Sequence, residues 1–330
     1  MNKHEVVKRL LADRARAPRP HACATAPANI ALCKYWGKRN EELNLPVTNS
    51  LSYALPHLSA TTELRPCDGP DRVQLNGAPM PANHPFAQRV TAYLNLFRTD
   101  HGYDVATRST VPVAAGVASS AAGFAALALA LDALYDWQLD RTSCSILARL
   151  GSGSACRSVF SGFVEWHAGE RDDGMDSVAQ PLEVVWPDFR LGVWYISQAP
   201  KPVSSRVAMR QTRETSLLYR AWPEQVRQDL AAIRAGLADR DIERLGAAAE
   251  RNALAMHATM AAATPPILYW QPGTVAGLQR IWEARADGCP VFATLDAGPN
   301  LKLIYPASAA TDVAERFPEL QPTDGSEMHR

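Results

Sequence analysis

Residues 121–134 read Ala-Ala-Gly-Phe-Ala-Ala-Leu-Ala-Leu-Ala-Leu-Asp-Ala-Leu, a run of helix formers that is apolar on nearly every side. It falls short of the roughly 20 residues needed to cross a bilayer, and Gly123 and Asp132 interrupt it. Such a helix has to be buried inside the protein. The chain must therefore supply enough structure to cover it, and 330 residues are more than one core usually organises. This predicts two domains or one large bilobed unit. Apolar residues at 47% and charged residues at 21% fit a folded globular chain and exclude a disordered, collagen-like or coiled-coil one.

Around the buried run, short β-like segments mark the first half: residues 29–33, the alternating 59–64, and 72–75 before the turn signal Asn76-Gly77. An early antiparallel sheet is expected from them, with helices over 85–97 and 121–135. After Pro187 a strand is expected over 189–196. Helical patterns follow near 206–220, 223–237 and 239–262, broken by Pro223 and by Pro265-Pro266. A helix over 273–286 and two apolar strands, 291–295 and 301–305, complete the second half. Those last strands frame the turn Asp296-Ala-Gly-Pro-Asn300. A domain boundary near 188 fits this restart, and no internal repeat is visible.

Charge narrows the partners. The 34 basic and 34 acidic side chains cancel, so no overall field draws the chain to nucleic acid or to an anionic membrane, and an anionic ligand has to be held locally. The six cysteines lack metal-ligand spacing and fit reduced thiols in the cytoplasm. Residues 1–20 are charged throughout and lack the apolar stretch of a secretory signal. Glu5 and Asp13 are out of place in an organellar transit peptide. Val6, Val7, Leu10 and Leu11 at helical spacing predict a short amphipathic helix before a basic, Pro-rich connector.

Four segments carry candidate chemistry. Residues 112–123 place small residues and the hydroxyls of Ser119 and Ser120 before the buried helix, an arrangement that suits a phosphate, although a serine-capped helix start reads the same way. A Walker A motif is absent. The Gly-Ser turn at 151–157 presents Ser152, Ser154 and Arg157 to a carboxylate or phosphate; an ordinary turn bearing a surface arginine is the other reading. The string Lys34-Tyr-Trp-Gly-Lys-Arg39 fits an anion site or a solvated strand end. Asp296, where two apolar runs meet, fits a partly desolvated proton acceptor or an Asx-turn aspartate. His257 is read as a packed residue.

Together with Ala26-Pro-Ala-Asn-Ile-Ala31, Leu45-Pro46, Asn49-Ser-Leu-Ser52, Asp176-Ser177 and Lys201-Pro-Val-Ser-Ser205, these strings resemble the mevalonate diphosphate decarboxylases of the GHMP kinase superfamily in order and rough spacing over residues 25 to 305. The resemblance implies an α+β, two-domain GHMP kinase fold. Residues 1–188 would form the N-terminal GHMP domain, with 1–20 as an extension. Residues 189–330 would form a ferredoxin-like α/β sandwich domain, with the active-site cleft between the two. It implies ATP-dependent decarboxylation of 5-diphosphomevalonate to isopentenyl diphosphate, with ATP and Mg²⁺ as cofactors, and a cytoplasmic homodimer. Alternatives are a phosphomevalonate decarboxylase making isopentenyl phosphate, a GHMP small-molecule kinase that does not decarboxylate, and a ligand-binding protein that has lost turnover.

Carried over residue by residue, the resemblance implies Asp296, Arg157 and Ser120 as catalytic residues. Asn29, Tyr35, Trp36, Gly37, Lys38, Ser152, Gly153, Ser154, Ala155, Cys156, Arg157, Ser205 and Arg206 would contact the substrate. Pro112, Ala115, Gly116, Ala118, Ser119 and Ser120 would contact ATP. Magnesium would arrive on ATP, touched by Ser120, with no ligand set from the protein. Arg206 stands where some members carry threonine, which bears on the phosphate end of the pocket. The stretch from Ser120 to Gly151 is slightly longer than in some relatives.

Overall fold

The structure is a computed structural model that describes residues 1–14, 16–98, 100–110 and 119–323. Helix α1 (Lys3–Leu11) forms where the amphipathic pattern predicts it. Asn2 and Glu5 close a capping box at its start, and Val6 and Val7 are buried. Strand β1 (Ala22–Cys33) follows, then a ribbon of β2 (Lys38–Asn40) and β3 (Leu45–Pro46), then the 18-residue β4 (Ser50–Cys67). Next come β5 (Arg72–Leu75), β6 (Ala78–Met80), helix α2 (Pro85–Leu94) and β7 (Gly102–Ser109). The buried run becomes α3 (Ser119–Tyr135), followed by α4 (Arg141–Gly151), a 3-10 segment over 153–159, β8 (Phe163–Trp166) and β9 (Ala179–Pro181).

These strands form a seven-stranded sheet in the order β6-β5-β7-β4-β8-β9, with β1 antiparallel to β4. The length of β4 lets its first part pair with β8 and its last part with β7, while β1 runs along it. Asn76 and Gly77, both at positive φ (51° and 81°), make the tight β5–β6 hairpin that their sequence signals. Helix α3 packs on β1 and β4 and also on α4 and the 3-10 segment, which together cover its all-round apolar surface.

The second sheet contains β10 (Phe189–Trp194), β11 (Phe292–Leu295), β12 (Leu301–Pro306) and β13 (Leu320–Pro322) in the antiparallel order β11-β12-β10-β13. Helices α5 (Ser205–Thr215), α6 (Trp222–Asp239), α7 (Ile242–Ala261) and α8 (Pro272–Ala286) lie between β10 and β11, and α9 (Ala310–Arg316) lies between β12 and β13. This is the ferredoxin-like order. The helix expected over 206–220 ends at Thr215. A 3-10 turn over 217–221 intervenes, and Pro223 starts α6 rather than breaking a helix, because a first-turn proline gives up no intrahelical hydrogen bond. A shared core joins the two halves: Ile30 and Leu32 of β1 and Phe163 of β8 belong to the same cluster as Trp222, Val226 and Phe292.

Candidate active site

Where the two halves meet, a cavity of about 670 Å³ opens. Its lining includes Asn29, Lys34, Tyr35, Trp36 and Lys38 from the end of β1 onward. Ser120 of α3 and Ser152, Gly153, Ser154 and Arg157 of the glycine–serine turn add to it. Lys201, Ser205, Arg206 and Asp296 come from the second half.

Asp296 opens the β11–β12 turn, bracketed by the pair Leu295↔Leu301. Several bonds hold the turn rigid. The Asn300 Oδ1 accepts the backbone N–H groups of Ile196 (2.8 Å) and Ser197 (2.9 Å), the Thr274 hydroxyl donates to the Pro299 carbonyl (2.8 Å), and His257 Nε2 lies 3.0 Å from the Asp296 carbonyl. A carbonyl only accepts, so His257 carries its hydrogen on Nε2. Burial drives the imidazole pKa down to about 3, keeping it neutral. His257 is thus a packed, structural residue, as its sequence suggests.

The Asp296 carboxylate lies between two lysines. Its Oδ1 is 3.1 Å from the Lys34 ammonium and its Oδ2 is 3.2 Å from that of Lys302. Both lysines are buried. Burial alone would raise the Asp296 carboxyl, but the charges of Lys302 and Lys34 outweigh it and hold the group well below the usual carboxylate range. Burial in turn pushes Lys34 down to about 8, against the pull of Asp296. The two ammonium groups thus favour the ionised form of the Asp296 carboxylate.

Arg157 lies in the 3-10 segment and is buried, not a surface arginine in a loose turn. Its guanidinium donates to Ser52 Oγ (2.9 Å), Ser50 Oγ (2.5 Å) and Asn29 Oδ1 (3.3 Å), and it lies 5.9 Å from the Trp166 ring centre. Asn29 is oriented in turn by its Nδ2, which donates to Ser158 Oγ at 2.8 Å. Burial lowers the Arg157 pKa, and the hydroxyl and amide oxygens compensate the charge only in part, so the remaining potential faces the cavity. Gly153 lets the Tyr35 ring lie against the turn: a Cβ there would stand 2.7 Å from the Tyr35 hydroxyl.

Opposite lies a cationic rim. Lys38 pairs with Glu41 at 3.2 Å, and burial together with Arg206 and Arg89 lowers its pKa. Burial, then Arg206, lowers Arg89, while burial, Arg206 and Lys38 lower Lys3 at the start of α1. Ser205 and Arg206 open α5, capped by Ser204. The Ser120 and Ser152 hydroxyls are 3.5 Å apart, and a second, smaller cavity of about 170 Å³ shares Arg89 and Ser120 with the first.

Most of the sequence-expected residues converge here, but Gly37, Ala155 and Cys156 do not line the cavity. Gly37, at φ +104°, backs onto Tyr219, whose hydroxyl would be 1.8 Å from any Cβ there. Ala155 and Cys156 are fully buried behind the turn. Ser119 begins α3, whereas Pro112, Ala115, Gly116 and Ala118 lie outside the described residues. The sequence pointed to Lys34 only as part of the cationic string 34–39 and to Lys201 only as part of a matching string, and it missed Lys302, Arg89 and Lys3. Lys302 had a signal, a lone charge inside the apolar strand Leu301–Tyr305; Arg89 and Lys3 had none.

The chain is similar to known proteins in sequence and in fold. Residues 26–179 match the diphosphomevalonate decarboxylase-like N-terminal domain, and residues 193–329 match the mevalonate 5-diphosphate decarboxylase C-terminal domain. The diphosphomevalonate decarboxylase of Bos taurus is 37% identical over 300 residues, covering 84% of this chain and 74% of that protein. The mevalonate diphosphate decarboxylase of Staphylococcus aureus superposes with a TM-score of 0.87 at 35% identity, covering 92% of this chain and 95% of the other. MDDEF in complex with MVAPP, AMPPCP and magnesium superposes with a TM-score of 0.85 at 36% identity, with the same coverage.

Proposed function

Because the chain belongs to the mevalonate diphosphate decarboxylase family, we infer that its cleft binds mevalonate 5-diphosphate beside ATP, with the reacting hydroxyl at Asp296. The protein is an ATP- and Mg²⁺-dependent decarboxylase that converts this substrate to isopentenyl diphosphate, ADP, phosphate and CO₂. The observation that carries the residue assignment is the Asp296 carboxylate held ionised by two buried lysines, in the same cavity as the buried guanidinium of Arg157.

In this assignment Asp296 accepts the hydrogen bond of the tertiary 3-hydroxyl and orients its oxygen toward the γ-phosphoryl group. The two ammonium groups make the carboxylate a weak base. Its work is orientation, with the proton taken late, which suits a loose phosphoryl transfer. Arg157 grips the substrate carboxylate, steadied by Asn29, Ser50 and Ser52. When the C3–O bond to the new phosphate breaks, the electrons of the bond to the carboxylate carbon form the alkene, and CO₂ leaves. Lys38, Ser205 and Arg206 would hold the diphosphate. Tyr35, Trp36, Ser152, Gly153 and Ser154 would shape the pocket around the chain.

The triphosphate belongs at the start of α3, where the first-turn N–H groups lack intrahelical acceptors and the Ser120 hydroxyl lies beside them, and the adjoining 170 Å³ cavity, lined by Leu75, Phe86, Val90 and Phe124, suits the base. The Ser120 hydroxyl would contact Mg²⁺ carried by ATP, and the ion would supply neutralisation of phosphate charge. We place the division between the halves at residue 188. Among the described residues no helix is long and apolar enough to cross a membrane. We place the protein in the cytoplasm as a homodimer, with free cysteines and the family analogy in support.

The test supplies purified protein with MgATP and either mevalonate 5-diphosphate or its monophosphate. The diphosphate should yield ADP, phosphate and CO₂ in equal amounts, at the higher kcat/KM. A stable phosphorylated product without CO₂ would establish the kinase reading instead.

A further inference from the structure

Lys34 is held from two directions by the opposite half of the protein. Its ammonium meets Asp296 at 3.1 Å, and its backbone N–H donates to the side chain of Asn252 on α7 at 2.8 Å. This second bond has a structural cause. The β1–β4 register slips between Ala31 and Cys33, and β1 ends at Cys33, so Lys34 is the first residue beyond the strand. A buried N–H needs a partner, and here a side chain 218 positions away provides it.

Asn252 can serve only in one orientation. Its Oδ1 must accept from Lys34, which leaves Nδ2 to donate, and Nδ2 donates to Asp229 Oδ2 on α6 at 2.9 Å. Asp229 is fully buried, and its other partners are donors too: Gln225 Nε2 at 2.9 Å on the same oxygen, and the half-exposed Arg251 at 2.7 Å on the other. A flipped Asn252 amide would point its oxygen at this carboxylate and its NH₂ at the Lys34 N–H. Both contacts would be repulsive, so the buried charge of Asp229 fixes the amide.

We propose that Asp229 and Asn252 are positioning residues for the reaction: they set the Lys34 backbone, and through it the ammonium that holds Asp296 toward the reacting hydroxyl. The proposal rests on the assignment of Asp296 above. Neither residue lines the cavity. Their effect should therefore fall on turnover and leave the KM of both substrates nearly unchanged, because Arg157 and the cationic rim are untouched.

The test is an exchange of the two side chains. Asn252→Ala, Asn252→Asp and Asp229→Asn, made singly, should each lower kcat for CO₂ release by about 10-fold or more, with KM for ATP and for mevalonate 5-diphosphate within about threefold of wild type. The double exchange D229N/N252D restores the pattern with its polarity reversed. The carboxylate then on α7 accepts the Lys34 N–H on one oxygen and the NH₂ of the amide then on α6 on the other, while that amide's oxygen still faces Arg251 and the Gln225 amide turns over to present its Oε1, in place of Nε2, to the new NH₂. The double variant should recover kcat to within about threefold of wild type. A purely structural role would show the single losses in KM and thermal stability without this recovery. A double variant that is unfolded, or no faster than the product of the two single effects allows, overturns the relay, as does wild-type kcat in Asn252→Ala. A wild-type protein releasing no CO₂ in the same assay would overturn the Asp296 assignment, and the relay with it.

Discussion

Replacing Lys302 by methionine isolates the electrostatic argument at the site. Lys302 is fully buried, and its ammonium is 3.2 Å from Asp296 Oδ2. At an effective dielectric of about 20, that pair is worth about 5 kcal/mol. Losing it moves the titration of Asp296 upward by roughly 3 to 4 pH units. The carboxyl, now held well below the usual range, would then move up toward the ordinary carboxylate range, because burial opposes the charge and only Lys34 is left to favour it. Methionine fills a similar volume without a charge to desolvate, so the fold should persist; thermal melting checks this. The assay is kcat for CO₂ release from about pH 5 to 9 under saturating MgATP and mevalonate 5-diphosphate. Wild type should be flat on its acid side. Lys302→Met should fall below about pH 6 and approach wild type near neutrality, where Lys34 still faces an ionised Asp296. Superimposable acid limbs would refute the reasoning, because Asp296 would then not depend on Lys302 for its ionisation.

Other perturbations have equally definite outcomes. Arg157→Lys keeps a charge but not the fork that reaches Ser50, Ser52 and Asn29, and at about 1.5–3 kcal/mol per lost charged hydrogen bond it should lower kcat/KM by roughly 10- to 100-fold, read from steady-state kinetics. Gly153→Ala would put a Cβ 2.7 Å from the Tyr35 hydroxyl, so the ring or the turn must shift; the overpacking costs about 1–3 kcal/mol in denaturant unfolding. His257 is held neutral to about pH 3 against an ordinary 6.5, so the unfolded chain takes up its proton first. The stability it contributes is complete above about pH 6.5 and is lost as pH falls toward 3. Between about pH 7 and 4.5 wild type should lose about 3 kcal/mol more than His257→Gln does, measured by urea titration.

The fold was legible wherever the signal was local. The apolar run of α3, the Asn76-Gly77 hairpin and the paired apolar strands around 296–300 are fixed by composition and turn chemistry within a few residues. Strands β8, β9 and β13 escaped because they are short, and the eight-residue β7 because polar Asp104, Thr107 and Arg108 break up its apolar positions; the identity of all four comes from pairing with distant partners. The same holds at the site. Arg157 reads as a surface residue until Ser50 and Ser52, 107 and 105 positions earlier, are brought against it. Asp296 was identified from its place between two apolar runs, but its charge state depends on Lys302 of the strand that follows and also on Lys34, 262 positions away. No local pattern encodes that separation. Arg89 and Lys3 join the cationic rim only through the packing of α2 and α1 beside it.

We propose that Asp296, with Lys302 and Lys34 beside it, addresses the hydroxyl that is phosphorylated before CO₂ is lost. The decisive measurement is CO₂ release together with ATP affinity in Asp296→Asn. The predicted result is a loss of turnover of about 100-fold or more with ATP affinity almost unchanged. Wild-type turnover in that variant would contradict the account.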